Sequence, residues 1–102
     1  MQINVDTTGN TVTIYLNGRF NFDSHREFRN AYDPHLGNGA VANIDIDLSN
    51  VEYLDSSALG MLLMLRERSQ AANKKLALSR PSRNVAQILD IANFAKLFDI
   101  RP

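Results

Sequence analysis

Residues Asn43 to Leu48 read Asn-Ile-Asp-Ile-Asp-Leu, apolar and polar in strict alternation. Side chains of a strand point to opposite faces in turn, so Ile44, Ile46 and Leu48 share one face and Asp45 and Asp47 the other. A strand buried under helices on both faces reads instead as a continuous apolar run. The sheet around this strand therefore has one side covered by helices and the other largely open to water. That alternation decides the architecture.

The rest of the chain fits around it. Ile3 and Val5 alternate with polar residues, and so do Val12, Ile14 and Leu16. Thr7-Thr8-Gly9-Asn10 between them is a turn signal, because Gly9 and Asn10 both tolerate positive φ. This predicts an N-terminal hairpin. Asn17-Gly18-Arg19-Phe20 then breaks the pattern and is expected to turn the chain. Asp23-Ser24 offers a helix N-cap ahead of Phe28, Ala31 and Tyr32 at helical spacing, and Pro34 is expected to stop that helix. Gly37-Asn38-Gly39 forms a loop. After the central strand a second helix runs to about Ala72, and Leu76-Ala77-Leu78 makes a short strand. A helix separates that strand from the central one, so the two are expected to be parallel. Pro81-Ser82 opens a third helix with Val85, Ile88, Leu89 and Ala92 inward. Phe94 to Ile100 closes the chain as a short helix or a strand. The order β-β-α-β-α-β-α implies a mixed α/β fold, with a sheet of four to five strands and helices mainly on one face. Without repeats or linkers, residues 1–102 read as one domain.

Composition narrows the function. Eleven basic and eleven acidic residues give a net charge of zero, which removes the electrostatic footprint of a nucleic-acid binder. There is no cysteine, so disulfides, thiol catalysis and cysteine-ligated metals are excluded. The run Ala58 to Leu65 is too short to span a membrane, and Met1 to Asp6 lacks the pattern of a signal peptide. A cytoplasmic protein is expected, and no heptad pattern suggests more than a monomer.

Catalytic parts are missing. Ser56 lacks the Gly-x-Ser-x-Gly elbow, His25 and His35 lie ten apart in a polar helix-loop region, and no Gly-rich loop is followed by the Lys and Ser/Thr of a phosphate cradle. Metal-ligand spacing is absent, and Asp45 with Asp47 reads as a solvated sheet face. An enzyme is not expected, nor a metal or cofactor. What stands out is Asp55-Ser56-Ser57 at the start of the second helix. Its plain reading is a cap, since Asp and Ser oxygens accept bonds from free first-turn amides. Along that helix Ser57, Gly60 or Met61, Met64 and Arg68 form one stripe. Ala58, Leu59, Leu62 and Leu63 can serve the core, leaving Met61 and Met64 at its margin, where methionines adapt to partner surfaces.

Asp55-Ser56-Ser57-Ala58-Leu59-Gly60, preceded by Val51-x-Tyr53-Leu54, resembles the signature of STAS domains, the anti-sigma factor antagonists of bacterial partner-switching systems. The likeness spans the chain: Leu16 to Phe20 is similar to the family's Gly-containing second-strand end, and Val85 to Phe98 to its last helix and closing segment. Phe20-x-Phe22-x-x-His25 resembles the stand-alone antagonists linked to biofilm and motility control in Gram-negative bacteria. Two residues depart from the pattern: Ala58 and Asn93 stand where glycine is usual. The resemblance implies an anti-sigma factor antagonist whose unphosphorylated form binds an anti-sigma factor that is also a serine kinase. Phosphorylation at Ser56 releases it, and a metal-dependent serine phosphatase resets it. The partner surface is expected at Asp55, Ser56, Ser57, Met61 and Met64, with Asp23 at the start of the first helix. The alternative is a constitutive STAS accessory subunit of a lipid-transport ABC complex, which the Ser-Ser pair disfavours.

Overall fold

In the computed structural model, which describes residues 1–102, the alternating run is the first half of a longer strand, β3 (Asn43–Leu54). It pairs in parallel with β2 (Thr11–Phe20) on one side and β4 (Lys75–Ser79) on the other. β1 (Gln2–Thr8) adds antiparallel beyond β2 and β5 (Asp99–Arg101) parallel beyond β4, so the strand order follows the sequence. The parallel connections run through α1 (His25–Leu36), α2 (Ser56–Ala71) and α3 (Arg83–Ile91). Right-handed crossovers repeated in one direction across a sheet put every helix on the same face.

The register displays the two faces. Val12 and Leu76 flank Ile44, and Ile14 and Leu78 flank Ile46. Val12, Ile14, Ile44, Ile46 and Leu78 are buried under the helices at 1% exposure or less. On the other face Tyr15, Asp47, Ser79 and Arg101 stand side by side, as do Thr13, Asp45, Ala77 and Asp99. The one-sided sheet expected from the Ile-Asp alternation is what forms.

Four local expectations need correction. Asn17-Gly18-Arg19-Phe20 does not turn the chain; it is strand to Phe20, with Gly18 at φ +111 taking up an irregularity no side chain would tolerate easily. β3 does not end at Leu48 but runs to Leu54, paired there with β2 alone. Bulges reset its apolar phase, which hid this half from a period-two reading. Pro34 does not stop α1, which continues to Leu36 around it. Buried Tyr32 and core-packed Leu36 hold the turn on either side of the proline, offsetting the lost backbone bond. Finally, the cap ahead of α1 is Asn21 rather than Asp23-Ser24. Asn21 Oδ1 accepts from the Asp23 amide at 3.0 Å, and its own amide donates to Ser24 Oγ at 3.3 Å, fixing a 3-10 turn over Phe22–Ser24.

The ends behave as the residues suggest. Gly9 takes φ +61 in the hairpin turn, and Asn93 holds the left-handed position after α3 at φ +59, as a glycine would. Phe94–Lys96 is a 3-10 turn and Asp99–Arg101 a strand, so the closing segment is both of the forms expected.

Candidate functional site: the start of α2 and the groove beside it

β3 delivers its last residue, Leu54, to the mouth of α2. Asp55 is extended (φ −98, ψ −177) and its Oδ1 accepts from the Ala58 amide at 2.9 Å, closing the helix start. Its carbonyl accepts from Leu59 at 3.1 Å and its amide donates to the Phe20 carbonyl at 3.3 Å, which ties the cap to the end of β2. Ser56 and Ser57 are therefore the first two helical residues. Their amides have no intrahelical carbonyl to bond, and they lie at the positive end of the helix dipole. Ser56 is exposed and Ser57 half-buried.

The cap sets the phase of α2. Ala58, Met61, Leu62, Leu65 and Ser69 turn inward. Leu63, expected in the core, is instead 38% exposed, and Met61 at 7% takes the inward place. Met64, 44% exposed, stands at the margin as expected. The stripe Ser57-Gly60-Met61-Met64 faces α1 across a groove of about 350 Å³, whose other wall is Phe22, His25, Phe28, Arg29 and Tyr32. Phe28 forms an aromatic ladder with Phe20 (4.9 Å) and Tyr32 (5.2 Å) beneath it. Burial pushes the Tyr32 phenol above its ordinary value, against the opposing pull of Arg68. Arg68 leaves the stripe to pair with Asp33 at 3.7 Å. Gly60 leaves its side of the groove open: a Cβ there would meet nothing.

Of the residues expected on the partner surface, Asp55, Ser56, Ser57, Met61 and Met64 form one continuous stretch of α2 and its cap. Asp23 is exposed on the 3-10 turn and does not line the groove. Two neighbours went unread in the sequence as surface groups. Phe22 is 71% exposed and Tyr53 is 41% exposed, with the Arg19 guanidinium 5.4 Å above its ring. The signal for Phe22 was present, since it falls outside the Phe28-Ala31-Tyr32 helical phase. Tyr53 had none, because the bulged half of β3 carries no readable alternation. No three His, Asp or Glu side chains converge as metal ligands would, and no helix is long and apolar enough to cross a membrane.

The open sheet face is not simply solvated. Asp47 is 2% exposed; its Oδ1 accepts from the Ser49 amide (2.9 Å) and hydroxyl (2.6 Å), and its Oδ2 from Arg80 Nε (3.0 Å). Asp45 accepts from Ser79 Oγ beside it. Burial pushes the Asp47 carboxyl up, but the bonds from the Ser49 hydroxyl, Arg80 and the Ser49 amide outweigh it and hold the carboxyl below the ordinary range. A depressed carboxylate contributes stability above its unfolded-chain value of about 3.9 and loses it as pH falls through the folded value. Thermal melts should therefore show the wild type losing more stability on acidification below about pH 4 than Asp47→Asn does. Equal acid limbs in the two proteins would refute this role.

Comparison with known proteins places these features. A sequence profile described as "Mlab, STAS domain" matches residues 3–101. A STAS-domain containing protein of Pseudomonas aeruginosa (strain UCBPP-PA14) is 44% identical over 94 residues, covering 90% of this chain and 89% of that one. Among solved structures, an anti-sigma factor antagonist from Mycobacterium paratuberculosis superposes with TM-score 0.86 at 17% identity, over 99% of this chain and 85% of that one. SpoIIAA, described as a Bacillus cell fate determinant and an anti-sigma factor antagonist, superposes in its unphosphorylated form with TM-score 0.80 at 21% identity, over 97% and 87% of the two chains. At these identities the solved structures establish the shared fold.

Proposed function

The chain belongs to the STAS-domain family, and from that premise we propose that it is an anti-sigma factor antagonist of a cytoplasmic partner-switching pathway, with Ser56 as the phosphorylated residue. The observation that carries this reading is the exposed Ser56 hydroxyl at the first position of a capped helix, bordered by the stripe of Ser57, Met61 and Met64. Structural neighbours that support the reading include anti-sigma factor antagonists, one of them solved in phosphorylated and unphosphorylated forms.

In this reading the unphosphorylated protein binds an anti-sigma factor that is also a serine kinase. The kinase moves the γ-phosphoryl group of ATP onto Ser56 Oγ, releasing ADP and the hydroxyl proton. A metal-dependent serine phosphatase hydrolyses the ester to restore the hydroxyl. The phosphate adds about −1.5 to −2 charges. At the helix N-terminus the dipole and free amides favour it by about 0.3–1 kcal/mol, so the fold accommodates the modification. Burying an unmatched dianion against a partner costs several kcal/mol. The switch therefore acts at the interface and not through unfolding.

Titration against a candidate anti-sigma factor kinase from the same organism tests the reading. A complex should form with ADP and dissolve with ATP as phosphate accumulates; a complex indifferent to ATP would contradict it. The other reading, a constitutive accessory subunit of a lipid-transport ABC complex, predicts no complex with the kinase in either nucleotide. The profile that matches the chain names Mlab and no antagonist.

A further inference from the structure

The half of β3 that presents Ser56 lacks a strand on one side. β4 ends at Ser79, opposite Asp47, so nothing continues the ladder along that edge beyond this pair. On the other side the pairing with β2 is irregular twice. From Tyr15↔Asp47 to Asn17↔Asn50, β2 advances two residues and β3 three. From Gly18↔Val51 to Arg19↔Tyr53, β2 advances one and β3 two. β3 thus carries two bulges within the arm leading to Asp55. Each extra residue disrupts the ladder and invites a slip, and a slip of one residue turns every side chain to the opposite face.

Side chains from the β4–α3 connection close this edge. Ser82 Oγ donates to the Val51 carbonyl at 3.0 Å, and Asn84 Nδ2 donates to the carbonyl of Glu52, the residue β2 leaves unpaired, at 3.0 Å. The first bulge is closed by Asp47, which holds the amide and hydroxyl of Ser49. Arg80 links the two closures. Its side chain binds Asp47, its amide donates to the Arg101 carbonyl at 2.8 Å, and its left-handed backbone (φ +52) turns the chain from β4 toward Ser82.

We propose that Asn84 and Ser82 are positioning residues for the acceptor serine: they act as the missing strand along Val51 and Glu52, pin the second bulge, and so fix where Asp55 presents Ser56. This rests on the reading of Ser56 as the phosphorylated residue. The arm, and not the sheet as a whole, is the part these two residues control.

Asn84→Asp tests it without shrinking the side chain. It replaces the donating amide with an acceptor, and an acid in the first turn suits α3. Ser82→Asp keeps a good cap for α3 while removing the donor to Val51. Amide hydrogen exchange by NMR should show Tyr53, Asp55 and Ala58 exchanging about two- to tenfold faster in either variant, the scale of one net hydrogen bond. Ile46 and Leu78, in the doubly paired half of the sheet, should be unchanged. In the kinase assay kcat for Ser56 should fall more than KM changes. Arm amides that exchange as in the wild type would overturn the proposal, and so would acceleration of all amides together, which marks a global stability effect. The exchange measurement needs no kinase, so a wild-type Ser56 that takes no phosphate would sink the functional reading and leave the positioning result intact.

Discussion

Ser56→Asp should leave the protein folded with its melting temperature unchanged or slightly raised, while weakening its anti-sigma partner at least about tenfold. The two halves of this result have separate causes. Ser56 is exposed at the first position of α2, where a carboxylate meets the helix dipole and the free amides of the first turn. The same carboxylate loses its water when a partner covers it, and an anion without a matching donor across the interface costs several kcal/mol. A factor of ten in affinity corresponds to about 1.4 kcal/mol, so even one charge in place of the phosphate's two suffices. Ser56→Ala should bind as the wild type does and accept no phosphate. Calorimetric titration alongside thermal melts separates the outcomes. A melted Ser56→Asp protein would put the switch in the fold, and an unaltered affinity would remove Ser56 from the interface.

The largest stability loss should come from Phe28→Ala. Phe28 is 1% exposed, packs between Phe20 and Tyr32 and forms the inner wall of the groove beside α2. Truncating a buried phenylalanine costs about 3–5 kcal/mol, a large share of the roughly 5–15 kcal/mol that a domain has. For a chain of this size that lowers the melting temperature by about 15 °C or more. Phe28→Leu, which keeps much of the volume, should cost under about 1.5 kcal/mol. Urea unfolding measures both. A cost below about 1 kcal/mol for the alanine would mean that the Phe20-Phe28-Tyr32 ladder does not anchor α1.

The sequence was most legible where one periodicity ran undisturbed. Ile44-Asp45-Ile46-Asp47-Leu48 carried the one-sided sheet, and the strict alternation of Val12, Ile14 and Leu16 carried its neighbour. Asp55-Ser56-Ser57 was legible as a helix start because capping chemistry is local, and the Ser57-Met61-Met64 stripe followed from its phase. The failures lie where tertiary contacts decide. The second half of β3 is strand only because β2, Ser82 and Asn84 hold it across two bulges, and a bulge erases the alternation that would announce it. Pro34 stays helical because Tyr32 and Leu36 are anchored in the core. Asp47 reads as a solvated carboxylate until Arg80, 33 positions away, is placed over it. Leu63 and Met61 exchange places because the inward stripe runs Ala58-Met61-Leu62-Leu65-Ser69, and the unbroken apolar run from Ala58 to Leu65 holds no polar side chain to mark that phase.

Ser56 is the residue proposed for modification by a partner kinase. That role is tested by phosphopeptide mass spectrometry of the protein from cells, with and without the candidate anti-sigma factor kinase. Phosphate should appear on Ser56 in the presence of the kinase and be lost when the kinase is deleted. Phosphate on Ser57 instead, or none under any condition in which the partner is active, would contradict it.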